Sequence, residues 1–378
     1  MTPPAARSSR RPGAATAVRS SVGALADGTE VCATTLTNAR GTAVRVADYG
    51  GTVLSILAPD RHGALADIVL GHDAIDAYRA GDAYLGAIVG RYANRIAGGR
   101  FEIDGTPYRL GTNDGAHHLH GGTRGFDAVV WEAEAFAHPG AAGVLLRHTS
   151  PDGDQGYPGR LCVTATYTLT DGDALVVDLH ATTDAPTPVN LSTHSYFNLT
   201  GRAGAGATVL GHRLTVDADA FLPVDSGRIP TGELRPVAGT PFDFRWPRAV
   251  GAEIDAGAPQ LACAGGYDHC FVLDRPAGDA ALRFAARLAE PESGRVLEVF
   301  TTEPGLQVYS GNSLRPAPPA DGGAGFAPRT GLALEPQHFP DSPNRPAFPP
   351  TVLRPGQTYR SQTVLAFGSD AAPPAFRP

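Results

Sequence analysis

From about residue 22 the chain alternates apolar and polar residues in short runs, each ended by a turn-forming pair. LCVTATYTLT (161–170) and ALVVDLHATT (174–183) flank Asp171-Gly172-Asp173, which predicts a β-hairpin with Gly172 supplying the positive φ of the turn. FEIDGTPYRL (101–110) repeats the pattern around Asp104-Gly105, and RLAEPESGRVLEVF (287–300) around Ser293-Gly294. TVLSILAPDRHGALADIVLG (52–71) turns between Asp60 and Gly63. Helical periodicity is scarce: HDAIDAYRA (72–80) predicts one short helix and AVGAEID (249–255) a further helical turn. Strands that follow one another without intervening helices argue against βαβ units and for an all-β sandwich or barrel. No repeat of fixed period is visible, which disfavours a propeller or solenoid. The Pro/Gly-rich stretch RPAPPADGGAGFAP (315–328) reads as a surface loop within one domain, because strands resume immediately after it.

Composition narrows the function. With 378 residues, 42% hydrophobic and 18% charged, the chain can bury a large core and lacks the signature of disorder. The expected organisation is a disordered N-terminal extension at 1–21, one domain over 22–370, and a C-terminal tail at 371–378. The extension carries Arg10-Arg11 and an Ala24-Leu25-Ala26 sequence that resembles a cleavage site. Arg19, Ser20 and Ser21 interrupt the apolar stretch that a signal peptide needs. A cytoplasmic protein is expected, with export through this extension as the alternative. A net charge of -7 without a basic stripe argues against nucleic acid as partner, and no apolar run reaches the length of a membrane span. All 31 basic residues are Arg; without a Lys amine, Schiff-base catalysis, pyridoxal phosphate anchoring and a phosphate-loop lysine are excluded. Cys32, Cys162, Cys263 and Cys270 match neither a zinc spacing nor a small disulfide scaffold, so buried free thiols are expected.

Polar residues depart from plain alternation in GRYANRIAGG (90–99), HHLHGG (117–122), VNLSTHSYFNL (189–199), GGYDHCFVL (265–273), TEPGLQVYSGN (302–312) and GLALEPQHFPDSPNRPAFPP (331–350). Each holds a group able to move a proton or grip a hydroxyl. Alternation would set His118 and His120 on one strand face. No carboxylate or cysteine stands at a recognised ligand spacing and no H-E-x-x-H occurs, so hydroxyl-binding or structural histidines are expected rather than a metal site. Gly121 and Gly122 would let backbone approach closely. His194, among Asn190, Ser192, Ser195, Tyr196 and Asn198, reads equally as a satisfied core histidine or as a catalyst. Glu335 follows the apolar run Gly331-Leu332-Ala333-Leu334, where a carboxylate is costly unless paired or functional. Its structural reading is an ion pair with Arg329 or Arg95. Asn190-Leu191-Ser192 and Asn198-Leu199-Thr200 are formal glycosylation sequons with little meaning inside strands. No G-x-S-x-G elbow or phosphate-binding Gly-rich loop occurs.

Together, GRYANRIAGGRFEIDG, LHGG, VNLSTHSYFNL, GYDHCFVL, TEPGLQVYSGN and LEPQHFPDSPNRPAFPP resemble the aldose 1-epimerase (galactose mutarotase) family, in the family's order and over about residues 22–368. The resemblance implies an all-β β-supersandwich of antiparallel strands with few short helices, and an open groove for a pyranose. It implies an isomerase that exchanges the α and β anomers of a free aldose of the galactose or glucose class. His194 would be the general acid at the ring oxygen and Glu335 the base at the anomeric hydroxyl. Asn94, Arg95, His120, Asp268 and Gln307 match positions that grip sugar hydroxyls or orient the reacting pair. Neither cofactor nor metal is implied, and the partner is a monosaccharide. The chain departs from the family pattern at Thr193, where Asn is common, at Pro336, where Thr is usual, and at Ser342-Pro343; Gln337, Pro340, Asp341 and Asn344 keep the rest of that motif.

Three rival readings stand beside this one. A glycosidase needs two catalytic carboxylates; Asp268 could partner Glu335, but His194 would then have no role. A non-catalytic sugar sensor on the same scaffold needs neither acid nor base. An epimerase of phosphorylated sugars wants an arginine cluster, which Arg91 and Arg95 alone do not make. Mutarotation would have to start from imidazolium and carboxylate, so neighbouring carboxylates are expected to raise the pKa of His194.

Overall fold

The computed structural model describes residues 14–72, 74–81, 83–202, 206–276, 278–315 and 325–378. Three antiparallel sheets dominate. The largest, of nine strands, runs in space from Glu132–His138 through Ala141–Ser150, Leu161–Thr170, Ala174–Thr183, Tyr359–Ser369, Arg295–Thr301, Arg283–Ala289 and Arg213–Val216 to Arg248–Ala249. A five-stranded sheet, Thr16–Ala24 to Leu65–Asp67, follows chain order. A six-stranded sheet runs Tyr196–Phe197, Leu332–Gln337, Gly305–Tyr309, Asp268–Val272, Ala220–Phe221, Arg235–Pro236. The largest cluster of contacting buried side chains draws on all three, with Leu36 and Val44 from one, Tyr167 and Leu179 from another, Leu306 and Leu334 from the third.

The predicted hairpins form. The 161–170 and 174–183 runs pair along their whole length, and Asp104 and Gly105 both take positive φ, 53° and 81°, as a two-residue type I′ turn requires. The 171–173 turn differs in detail: Asp173, not Gly172, occupies the left-handed region, at φ 57°. An aspartate, with its short polar side chain, enters that region more readily than most residues when hydrogen bonds hold its carboxylate. Here the carboxylate accepts Asn38 Nδ2 and Thr42 Oγ1, each at 2.7 Å, and Arg40 at 3.1 Å, tying two sheets at their turns.

Other expectations are corrected. Residues 16–21 are not a disordered extension: Thr16–Ala24 is a strand paired with Glu30–Thr37. Its own burial is slight, but the neighbouring edge supplies a hydrogen-bond ladder, and the Asp27-Gly28 turn, with Gly28 at φ 85°, reverses the chain into it. Residues 1–13 lie outside the described residues, as does 316–324 of the proposed 315–328 loop. The tail folds back, with Pro374 buried and the Phe376 ring 5.1 Å from Phe300. The helix at 72–80 is Ile75–Ala80. The stretch 249–255 holds no helix: Ala249 ends a short strand and 250–255 form turns and bends. The second α-helix among the described residues is Pro259–Ala264, with Pro at its start and Gly265 at φ 69° closing it. Among the described residues no helix is long and apolar enough to cross a membrane. The four cysteines are unpaired, yet only Cys270 is buried and Cys162 is exposed.

Arg91 shows what the all-arginine composition does internally. It is buried, and its guanidinium donates to Pro158 O at 3.0 Å, Gly159 O at 2.8 Å, Pro151 O at 3.0 Å and Ser150 Oγ at 2.7 Å. One planar fork thereby fixes the 150–159 loop against the segment that leads to Asn94 and Arg95. A lysine ammonium offers three donors at a single point and cannot span that set. Arg91→Lys is therefore expected to lower unfolding free energy by roughly 2–4 kcal/mol in denaturant titration; a loss under about 0.5 kcal/mol would show the fork to be dispensable.

Candidate active site

Strand period places the site. In Leu332–Gln337 every residue is buried, because the two faces meet different partners. Leu332 and Leu334 enter the main core, while Ala333, Glu335 and Gln337 face the other way. Glu335 stands opposite Gln307 on the neighbouring strand, and Asp268 stands opposite Tyr309. Alternation thus gathers Glu335, Gln307, Tyr309 and Asp268 on one face of the six-stranded sheet.

His194 reaches them from a junction. Ser192–Thr193 pairs with Ile88–Val89, and Tyr196–Phe197 pairs with Leu332–Ala333. The histidine lies between, its N–H donating to Ala87 O and its carbonyl accepting Gly86 N–H, both at 2.9 Å. Its Nε2 stands 3.6 Å from Glu335 Oε2. That is beyond hydrogen-bond range, with both side chains buried, 5% and 2% exposed. Neither expected structural explanation holds. His194 is not a satisfied core histidine, since its Nδ1 has no partner, and Glu335 Oε2 has none either. Arg329 pairs with Asp255 at 2.8 Å and Arg95 with Asp114 at 2.8 Å, and neither forms an ion pair with Glu335.

Of the remaining expected residues, Asn94, Arg95, His120 and Asp268 line the same cavity of about 210 Å³ as His194 and Glu335, and Gln307 stands behind them, bonded to Asp268. Asn94 (φ 66°) and His120 (φ 50°) are both left-handed and grip one another. Asn94 N–H donates to His120 Nδ1 at 3.1 Å, and His120 N–H donates to Asn94 O at 3.2 Å. The positive φ ends the alternation expected for 118 and 120: His118 turns instead to Tyr157 Oη and Gly111 O, at 2.8 and 2.6 Å. A Cβ on Gly121 would come within 1.8 Å of Gly90 O, so only glycine fits beside His120. Gln307 Nε2 donates to Asp268 Oδ1 at 2.6 Å, leaving its Oε1 unpartnered.

Asp341 acts behind Arg95. Its N–H donates to Arg95 O at 2.8 Å and its Oδ1 accepts Ala97 N–H at 2.9 Å, so the aspartate of the 335–344 motif holds the arginine strand. Pro336 sits within a sheet, an unusual place for a residue without N–H. Its carbonyl accepts Ser192 Oγ at 2.8 Å, so its nitrogen points to the same side, where no continuous ladder calls for a donor. Both sequon asparagines are fully buried, their amides bonded to Ala93 O and to Ala207 O and Thr330 O.

Sequence reasoning missed part of the wall. Arg228, at φ 62°, donates to Asp114 at 3.1 Å and stands 3.9 Å from Asp268. The turn signal Asp225-Ser226-Gly227 was legible, and Asp225 Oδ1 indeed accepts Gly227 and Ile229 N–H, but a turn does not announce what it faces. Tyr84, Tyr196, Tyr309 and Arg315 also line the cavity, and the Tyr84 ring lies 4.7 Å from His120.

Electrostatics overturns one expectation. Burial lowers the pKa of His194 to about 4, against a smaller upward pull from Asp268, whereas neighbouring carboxylates were expected to raise it. Burial likewise raises Glu335 well above its ordinary value, Asp268 adding to this and Arg95 opposing it. Taking a charge from water costs more here than the nearby charges return. Burial also keeps His120 neutral, and because its Nδ1 accepts from Asn94, its proton must sit on Nε2. His120, His194 and Glu335 lie close enough to hold a metal ion. The His120 tautomer argues against a metal there, since ligation through Nε2 would put a proton on Nδ1, against the Asn94 N–H.

An aldose 1-epimerase family model matches residues 33–366. The galactose mutarotase of Bos taurus is 44% identical over 324 residues, 86% of this chain and 90% of that protein. The aldose 1-epimerase of Escherichia coli K12 is 41% identical over 335 residues, 88% and 94% of the two chains. Among solved structures, a galactose 1-epimerase from Lactobacillus acidophilus matches with a TM-score of 0.81 at 29% identity, covering 94% of this chain and 99% of that one. A homologue from C. elegans matches with a TM-score of 0.77 at 31% identity, covering 87% and 96%. With strands, cavity and sequence all in agreement, this chain belongs to the aldose 1-epimerase family.

Proposed function

We propose that this protein is an isomerase that interconverts the α and β anomers of a free aldose of the galactose or glucose class, with His194 and Glu335 as its acid and base. The observation that carries the reading is the buried, mutually unbonded pair at 3.6 Å. Anomer exchange asks for two proton movements at oxygens that share one carbon. The anomeric hydroxyl gives its proton to Glu335 while the ring oxygen takes one from His194, and the bond between the anomeric carbon and the ring oxygen breaks. Rotation about the bond to the next carbon turns the other carbonyl face toward the hydroxyl that was the ring oxygen, and reclosure returns both protons.

One proton shared by the pair is the working condition. Imidazolium with carboxylate, the form that meets the closed ring, and imidazole with carboxylic acid, the form left after opening, hold the same number of protons. Burial favours the second, so it lowers the cost of the opened stage, while the charge of Asp268 favours an imidazolium. Asn94, Arg95, His120, Asp268 and Gln307 are assigned to the sugar hydroxyls. His120 offers a donor from Nε2 and Gln307 an acceptor from Oε1.

A neutral sugar suits the wall. Three arginines, Arg95, Arg228 and Arg315, face three carboxyl groups, Asp114, Asp268 and Glu335, and two of the arginines are engaged by Asp114. Arg91 lies among carbonyls elsewhere. With the His194–Glu335 pair neutral as a unit, Asp114 and Asp268 offset two of the three arginine charges, which leaves no arginine cluster of the kind a phosphate calls for. Glycoside hydrolysis needs a second carboxylate and would leave the imidazole 3.6 Å from Glu335 without a role.

Polarimetry of freshly dissolved α-anomers of galactose, glucose, xylose and arabinose tests the assignment. Glu335→Gln and His194→Ala are each expected to lower kcat by about 10²-fold or more, with sugar affinity changed only a few-fold and no reducing sugar released from an aryl glycoside. Near-wild-type conversion by either variant would sink its role.

The pH dependence has a definite sign. Activity ends on the acid side when the pair takes a second proton, which for His194 lies toward about 4, and on the alkaline side when it loses its single one. The acid limb is therefore expected well below the ordinary imidazole range near 6.5, with both apparent values belonging to the pair. An acid limb at 6.5 would contradict this.

Stability follows from the same shifts. A carboxyl whose folded pKa is raised binds a proton that the unfolded chain has already released, so its contribution is present below the unfolded value near 4.5 and is lost as pH rises through the folded one. Wild type is thus expected to lose melting temperature relative to Glu335→Gln as pH rises above 4.5. Parallel melting curves across that range would refute it.

A further inference from the structure

A second buried acid–imidazole pair lies behind the first and has no part in the proton movements above. Glu303 is 1% exposed, at the turn between Arg295–Thr301 and Gly305–Tyr309. His338 Nδ1 donates to its Oε2 at 2.6 Å, and Tyr359 Oη donates to its Oε1 at 3.3 Å. The charges and polar groups around it come from its neighbours: the Arg275 guanidinium from the loop after Asp268–Val272, bonded to Thr301 O at 3.1 Å, and Ser361 from the Tyr359 strand. Burial alone would raise the Glu303 carboxyl, but the charge and hydrogen bond of His338, with Ser361 and Tyr359, outweigh it and hold it ionised. Burial would likewise lower His338, and Glu303 more than reverses that. This pair is ionic where the His194–Glu335 pair tends to neutrality.

Its connections run to both reacting side chains. His338 lies three residues after Glu335. Its N–H donates to Asn190 Oδ1 at 2.9 Å and its carbonyl accepts Asn190 Nδ2 at 3.3 Å. Asn190 lies four residues before His194. Tyr359 Oη, besides touching Glu303, accepts Leu191 N–H at 3.2 Å, and Ser192 Oγ donates to Pro336 O at 2.8 Å. The segment that leads into His194 and the strand that carries Glu335 are thus joined directly at Asn190–His338 and Ser192–Pro336. They are joined a further time through Glu303, which links the His338 imidazole to Tyr359 and so to Leu191 and itself sits four residues before Gln307.

We propose that Glu303 and His338 form a positioning pair, which sets the separation of the His194 imidazole from the Glu335 carboxyl and so governs turnover without touching the sugar. The proposal rests on the acid–base reading of His194 and Glu335. Small displacements suffice, because proton transfer needs donor and acceptor within hydrogen-bond reach of the substrate oxygens.

His338→Leu removes the donor and leaves Glu303 charged without its partner; His338→Asn keeps an amide N–H near the Nδ1 position. Steady-state polarimetry on folded protein, well below each variant's melting temperature, is expected to show kcat lowered about 10- to 100-fold in the Leu variant. KM should stay within about three-fold of wild type, and the Asn variant should recover kcat to within about three-fold. A scaffold role alone would shift melting temperature in both variants and leave kcat per folded molecule unchanged. If the Leu variant does not fold, Tyr359→Phe, which removes only the hydroxyl between Glu303 and Leu191, is expected to lower kcat three- to ten-fold at constant KM. Wild-type kcat in a folded His338→Leu protein, or in Tyr359→Phe where that protein does not fold, would overturn the positioning role. An inactive wild type, or an active Glu335→Gln, would instead overturn the reading beneath it.

Discussion

An imidazole and a carboxyl are held 3.6 Å apart inside the protein, unable to reach one another and screened from water. Most of the surrounding architecture follows from keeping them so. Left to itself each would find a partner, since a buried polar atom without one costs on the order of 1–3 kcal/mol. The backbone prevents it: His194 is bonded through its own N–H and carbonyl to Ala87 and Gly86, and Glu335 is fixed by strand pairing on a fully buried strand. Strain of this kind is tolerated only where the surroundings over-determine the geometry, and the three-sheet core provides that rigidity.

The same logic separates two sorts of charge. Asp114 bridges Arg95 and Arg228, Asp268 lies between Arg228 and Gln307, and Asp341 secures the Arg95 strand by its main chain. These groups are mutually satisfied and define a wall. His194, Glu335 and the Gln307 oxygen are left with unused capacity and define what the wall surrounds. A polyhydroxylated ring, able to donate and accept at several points, is complementary to that mixture.

Much of this was legible in the sequence, and the exceptions have physical causes. Alternation and turn pairs gave the hairpins, because period two and positive φ are local properties. Order and spelling of six motifs pointed to His194, Glu335 and the four residues that line one cavity with them, Asn94, Arg95, His120 and Asp268, and to Gln307 bonded to Asp268. Local reading failed where tertiary context decided. The Thr16–Ala24 strand exists because Glu30–Thr37 offers it an edge, and Asp173 took the conformation assigned to Gly172 because three side chains from residues 38–42 hold its carboxylate. Arg228 was invisible because its role depends on facing Asp114 across more than a hundred residues. The direction of the His194 shift was misjudged for a related reason: neighbours can be guessed from motifs, whereas the depth of burial cannot.

The guanidinium groups of the cavity have a bearing on the fate of the substrate. A ring-opened aldose is an aldehyde, and a primary amine within reach would condense with it to an imine. Apart from its two histidines, which are not primary amines, every basic residue lining this pocket is an arginine, permanently protonated and so without a free lone pair for attack on carbonyl carbon. Hydroxyls can therefore be gripped by positive charge while the linear sugar is free to rotate and close again, with no side chain present that could trap it covalently as a Schiff base.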